Sequence, residues 1–274
     1  LILEFGSGII VTMNFSQINF GFFALKIYGL FISVGFALAS WYYYKQLKEK
    51  GFSQDFFLHH YWRWLLGGIL LGRLLAVLLD PTIFERFGFM SFFAFWDGEM
   101  NLWGVGMGFL MTMYLDLKKE SKSIGPWLDV GMLPFLLMVM IADWAAFLTG
   151  KIYGTETSLP WGIQYETFGV EILNPVHPVT LYAFVAHLIL YWWVKEHQKL
   201  WKNTPGVLSL KTLLYFCVIN FGLEFLYGSS YTLWGGLSLG QYISLGAGFV
   251  MAYWLYGDKK LSSALKKNFS RRRK

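Results

Sequence analysis

The sequence predicts an all-α integral membrane protein of seven transmembrane helices, with its N-terminus out and its C-terminus in. Three observations carry this. Only 15% of the 274 residues are charged, while 55% are hydrophobic and 20% aromatic, with mean hydropathy +0.44; a soluble domain carries roughly 25% charged residues. Apolar runs recur at 27–44, 56–79, 102–115, 127–148, 179–194, 207–226 and 239–256, and about 20 residues take a helix across the hydrocarbon core. Lysine and arginine concentrate in alternate connectors, which sets the orientation.

In chain order, residues 1–24 read as an extracytoplasmic segment. Met13 is a natural start, which makes 1–12 an upstream extension or a fragment of a longer chain. No cleaved signal peptide is read, because neither a basic n-region nor a small-x-small site precedes the first strong run. The seven-span membrane domain is expected over 25–257. Its runs at 102–115 and 179–194 are short, so they borrow flanking residues or sit where the bilayer is thin. Backbone groups in lipid must pair within their own segment, so helices are the spans expected. The odd connectors hold Lys45, Lys48 and Lys50, then Lys118, Lys119 and Lys122, then Lys195, Lys199 and Lys202. The tail at 258–274 is basic from Lys259 to Lys274. Even connectors carry acids instead: Asp80, Glu85, Asp97, Glu99, Glu156, Glu166 and Glu171. The tail serves solvation and positive-inside anchoring, with anionic headgroups as a further contact.

The connector at 150–178 is the longest, and it holds Tyr153, Trp161, Tyr165 and Phe168 beside Pro160, Pro175 and Pro178. Such a loop is too aromatic for disorder and reads as an ordered outer lobe with some extended structure. The lone Cys217, inside an apolar run, excludes an internal disulfide or thiolate cluster and reads as a small buried hydrophobe. Gly104, Gly106 and Gly108 lie on a span, where close helix approach explains them better than phosphate cradling.

Ionisable residues in a span are costly and are functional candidates by default. Arg73 sits near the outer end of the second span and Asp143 near that of the fourth. Glu224 and Asn220 lie in the outer half of the sixth, and His177-Pro178 precedes the fifth. Asp97 and Glu99 lie in the second connector, within W-D-G-E-M-N-L-W-G-V-G-M-G at 96–108. Most of these converge on the outer leaflet, which suggests a site facing lipid headgroups. Each also has a structural reading. Arg73 can pair with Asp143 or Glu224; Asp129 can cap the helix it opens; His177 can fix its loop; His187 reads as a satisfied interior polar group.

Taken together, these stretches resemble the prolipoprotein diacylglyceryl transferase family. K-I-Y-G-L at 26–30 resembles its W-Y-G-L, and G-R-L-L-A-V-L-L-D at 72–80 its G-G-R-x-G-Y-V-L-F-Y. W-D-G-E-M-N-L-W-G at 96–104 resembles W-x-G-G-M-S-x-H-G-G. Asp129, Pro134 and Gly150 through Tyr153-Gly154 resemble the segment leading through G-R-x-G-N-F-x-N-x-E-x-x-G. H-P-V-T-L-Y at 177–182 resembles H-P-x-Q-L-Y-E, F-G-L-E-F at 221–225 resembles R-x-x-x-E-x-x-R, and G-Q-Y-I-S-L at 240–245 the closing G-Q-x-x-S. The chain departs from the pattern at Trp103 for its histidine, at Asp143 and Asn220 for arginines, at Tyr227 for another arginine, at Ala146 for an asparagine, and at Lys151 and Ala183 for glutamates.

The resemblance implies transfer of diacylglycerol from phosphatidylglycerol to the lipobox cysteine thiol of prolipoproteins, the first step of lipoprotein maturation, in the bacterial inner membrane. It implies no cofactor, metal or nucleic-acid partner. It assigns catalysis to His177, Arg73 and Tyr28, lipid contact to Arg73, Asp97, Gly98, Asn220, Glu224 and Tyr182, and structural roles to Asp129, Pro178 and Gln241. Arginines hold a phosphate and its leaving charge, and the thiol must lose a proton. Asp143 in an arginine's place repels a phosphate, by several kcal/mol at about 4 Å in a partly buried site. Two readings stay open: a divergent working transferase with His177 as its base, or a member that binds lipid or precursor without transfer.

Overall fold

The computed structural model describes residues 9–11, 17–19, 24–94, 100–167, 170–171, 174–199, 204–228 and 234–257. They are mostly helical, and each of the seven apolar runs is a helix: α1 (Ile27–Glu49), α2 (Gln54–Leu79), α4 (Leu102–Lys119), α5 (Ile124–Thr149), α6 (Val179–His197), α7 (Val207–Leu223) and α8 (Leu239–Ala252). Beyond the two short runs, α4 continues to Lys119 and α6 to His197. A short α3 (Pro81–Phe87) follows α2, because Asp80 ends one helix and starts the next: its carboxylate accepts from the Thr82 amide at 3.0 Å and the Thr82 hydroxyl at 2.7 Å. Gln54–Leu79, Ile124–Thr149 and Val207–Leu226 are long and apolar enough to cross a membrane. Large side chains such as Trp62, Ile189 and Phe249 stand exposed on the helices, the pattern of a surface solvated by lipid rather than water.

The chain divides into two compact units, Tyr44–Trp127 and the rest. In the Tyr44–Trp127 unit, α2 and α4 pack antiparallel along a glycine seam. A Cβ on Gly104 would come 2.7 Å from the Leu71 carbonyl, and one on Gly68 2.9 Å from that of Val105. Backbones this close tolerate only hydrogen at the contact, which accounts for Gly104 and Gly108; a Cβ on Gly106 would meet nothing within 4 Å. Further along the seam, Asp116 accepts from Arg63 Nη2 at 2.7 Å and from the buried Trp64 Nε1 at 3.0 Å.

The other unit holds α5 to α8 and the first part of α1, which meets α5 at Gly35, where a Cβ would lie 2.8 Å from Ile141. Its core is Met132, Leu133 and Leu136 of α5 against Leu190 and Val194 of α6 and Val207 and Leu208 of α7. Asp129 does not cap its own helix, since α5 begins five residues earlier at Ile124. Its carboxylate instead accepts from the Gly206 and Ser209 amides, at 2.7 and 2.8 Å, at the start of α7. Gly206 has φ +86°, a left-handed conformation that favours glycine, and it turns its N–H onto Asp129. Asp129 thus ties the start of α7 to α5 rather than capping α5 itself. Gln241 forms a capping box with Ser238 at the head of α8.

The extended structure expected at 150–178 is present. β4 (Ile163–Thr167) pairs antiparallel with β5 (Val170–Glu171) and parallel with β1 (Ile9–Val11), while β2 (Gln17–Asn19) and β3 (Ala24–Lys26) form a separate hairpin. Tyr165, Ile163 and Val176 make the lobe's core, with Phe147 and Tyr153 against it. Burial pushes the Tyr165 hydroxyl up to about 12.

Candidate functional site

The site grows from the junction of the lobe with α5, α6 and α7. The main chain at 153–155 is threaded between two neighbours. Gly154 N–H donates to the His177 carbonyl at 3.1 Å and His177 N–H to that of Thr155 at 3.0 Å. On the other side, Thr155 N–H donates to Leu226 O at 2.8 Å and Gly228 N–H to Tyr153 O at 3.0 Å. A Cβ on Gly154 would fall 2.5 Å from the His177 carbonyl, so the sequence's Gly154 is the residue that lets these strands close. The stitch fixes the foot of α6 and the head of the Tyr227 turn relative to one another.

Below this stitch three polar side chains meet. His187 Nδ1 lies 2.7 Å from Asp143 Oδ2, and Asn220 Nδ2 lies 3.3 Å from His187 Nε2. The same Asn220 nitrogen donates to the Phe216 carbonyl at 2.8 Å, so the side-chain amide presents its NH₂ to the imidazole. With Asn220 Nδ2 as donor, Nε2 accepts, and a ring proton is assigned to Nδ1, toward Asp143. His187 stacks on Phe216, with ring centroids 4.9 Å apart. The imidazole is buried, while the Asp143 side chain remains 16% exposed. The charge of Asp143 reaches both Tyr28 and Tyr227. Burial raises the Tyr227 hydroxyl above its ordinary value, with the Asp143 and Glu224 carboxylates adding to the effect. Lys151 Nζ sits 4.1 Å from the centroid of the Tyr28 ring, a cation–π contact that brings positive charge beside the tyrosine.

Two smaller groups complete this unit's polar set. Tyr182 OH accepts from Trp161 Nε1 at 2.7 Å and lies 3.4 Å from His177 Nδ1. Glu224 Oε1 accepts from Ser238 Oγ at 2.8 Å, and Gly240 packs against the same carboxylate. Pro178 stands at the N-cap of α6. Cys217 is buried, as its apolar setting predicts.

Arg73 belongs to the Tyr44–Trp127 unit. It is buried there and donates from Nε to the Ser91 carbonyl at 2.7 Å, while Ser91 Oγ donates to Ile83 O at 2.9 Å. Trp103 is exposed on the first turn of α4, whose cap is Asn101 accepting from the Gly104 amide at 2.9 Å. Asp97 and Gly98 lie outside the described residues. The pairing of His187 with Asp143 is what sequence reasoning missed. A signal was available, because Asp143 lies six residues from the end of α5, His187 eight from the start of α6 and Asn220 six before Leu226. At about 1.5 Å per residue those are similar depths.

Long apolar helices with a cluster of carboxylate, imidazole, phenol and ammonium groups among them mark a membrane protein. Residues 16–256 match the prolipoprotein diacylglyceryl transferase family. The chain belongs to that family. It is 26% identical over 246 residues to a phosphatidylglycerol–prolipoprotein diacylglyceryl transferase of Wolbachia pipientis from Culex pipiens, covering 85% of this chain and 91% of the relative. An enzyme of the same description from Clostridium tetani is 27% identical over 236 residues, 82% and 91% of the two chains. One from Ehrlichia ruminantium (strain Gardel) is 24% identical over 239 residues, 83% and 90%.

Proposed function

We propose that this chain transfers the diacylglyceryl group of phosphatidylglycerol to the lipobox cysteine thiol of prolipoproteins, the first step of lipoprotein maturation. The observation that carries the reading is the family match over residues 16–256, which runs through the whole helical region. The chain acts as a seven-span, multi-pass protein of the bacterial inner membrane, N-terminus out. The basic connectors and the seven helices support that placement.

The lipid's phosphate needs cations and hydrogen-bond donors. Among the described residues of the Tyr44–Trp127 unit Arg73 is the buried arginine, and by the family resemblance we assign it to the phosphate; separately, in the other unit, the resemblance assigns Tyr28, Asn220, Tyr182 and Glu224 to lipid contact. Lys151 on the Tyr28 ring brings positive charge to the tyrosine assigned to the lipid. His177 is available to the incoming thiol, and its fixed main chain and Tyr182 partner hold the ring in place.

Complementation tests the reading. Expressed in a bacterium depleted of its own transferase, the chain should restore diacylglyceryl-modified lipoprotein. Folded protein in the membrane without modified product would refute transfer and leave a member that binds lipid or precursor. Arg73→Ala should abolish lipid binding, and unchanged binding would remove Arg73 from the phosphate site.

A further inference from the structure

Resting on the transfer reaction above, we propose that Asp143, positioned by His187, takes the place of His177 as the base that accepts the proton of the substrate thiol. The nucleophile has to be a thiolate, so a proton acceptor must stand beside the incoming sulfur. Asp143 has the required form. One carboxylate oxygen, Oδ2, is held by His187 Nδ1 at 2.7 Å, while no described residue donates to Oδ1, and the side chain keeps 16% exposure. One oxygen is therefore locked and the other is presented.

In His187 the second nitrogen already faces a donor. Its Nε2 faces the Asn220 amide NH₂ at 3.3 Å, and that amide is fixed by its bond to the Phe216 carbonyl. A second ring proton would point donor at donor. His187 is accordingly a positioning residue, and Asp143 the group that meets substrate. The other carboxylate of this unit's polar set, Glu224, spends Oε1 on Ser238. The titratable groups facing Asp143 are His187 from α6, Tyr28 from α1 and Tyr227 beyond α7.

In the reaction, the S–H proton passes to Asp143 Oδ1 as the sulfur attacks the glyceryl carbon that bears the phosphate. The S–C bond forms, the C–O bond breaks, and its electron pair leaves on glycerol phosphate. The proton held by Asp143 then returns to the departing phosphate or to water.

The experiment uses the full chain in phosphatidylglycerol vesicles with a synthetic lipobox peptide. Asp143→Asn should lower kcat about 100-fold at neutral pH, the lower range of general-base effects, without raising KM for the lipid. Between about pH 7 and pH 9.5 the deficit should shrink at least tenfold, because a thiol of ordinary pKa near 8.5 then ionises unaided. His187→Ala should lower kcat about tenfold, with His187→Asn, whose amide can occupy the Nδ1 position, recovering it. Asp143→Asn within threefold of wild type, or a deficit constant across pH, overturns the proposal and leaves Asp143 a helix-to-helix staple or His177 as the base. Wild-type protein that makes no thioether overturns the transfer reading and this proposal with it. If Asp143→Asn does not fold, the two His187 variants answer by the same pH criterion, and absence of rescue in His187→Ala refutes the proposal.

Discussion

Removing the Asp129 carboxylate tests the helix-to-helix cap most directly. Asp129 accepts from two amides at the head of α7, Gly206 at 2.7 Å and Ser209 at 2.8 Å. Asp129→Ala leaves both N–H groups without this acceptor in a partly buried setting. Loss of a helix cap costs about 0.5–2 kcal/mol, and a hydrogen bond to a charged group contributes about 1.5–3 kcal/mol. The two amides share one carboxylate, so their loss is not additive, and about 2–3 kcal/mol is expected. For a chain of this size that is about 5–10 °C in Tm, read by a thermal melt of purified protein in lipid or detergent. Asp129→Asn keeps one acceptor oxygen and should cost about half as much. The separation in sequence sharpens the test, since a residue capping its own helix would leave α7 untouched. Hydrogen exchange should therefore rise at 206–209 in the alanine variant and not at the start of α5. A melt within about 1 °C of wild type, or exchange rising only at 124–128, would refute the cap.

The α2–α4 seam makes a paired prediction. Gly108→Val drives a side chain into the Gly67 carbonyl and should destabilise by about 1–3 kcal/mol or more, whereas Gly106→Ala meets nothing within 4 Å and should be neutral; folded yield in membranes measures both, and equal behaviour would contradict the seam. Asp116→Ala strands the buried Trp64 indole N–H and removes the Arg63 partner. A loss of about 2–4 kcal/mol is expected, with an unchanged melt as the contrary result. Asp80 is held below the usual carboxylate value, first by the Thr82 hydroxyl and then by the Thr82 amide. Its folded pKa is depressed, so its contribution is present above the ordinary value of about 3.9 and is lost as pH falls through the lowered one. A carboxyl NMR titration should find that lowered midpoint and should see it rise in Thr82→Ala. No movement would dismiss the hydroxyl as the cause.

Much of the helical layout was legible in the chain because the signals are local. Run length and hydropathy mark each of the seven helices, and helix ends carry their own chemistry in Asn101, Asp80 and the Ser238–Gln241 box. Glycines spaced along the run at 102–115 pointed to close packing for the same reason. The site was legible as a list of costly polar residues at membrane depth, not as partners. Nothing in the local pattern around Asp143 distinguishes Arg73, Glu224 or His187 as its neighbour.

By itself, then, the sequence determined the class of protein, the positions of its helices and its family, since hydropathy, capping and motif order need no knowledge of what lies across the core. Tertiary structure alone decided which polar groups meet. His187 and Asp143 are 44 residues apart, Asn220 and His187 33, and Asp129 and Gly206 77. Pairings over such separations follow from how α5, α6 and α7 pack. In an apolar interior each buried polar group must find a partner within hydrogen-bond reach. Packing selects that partner, and so turned Asp143 into a carboxylate held by a histidine.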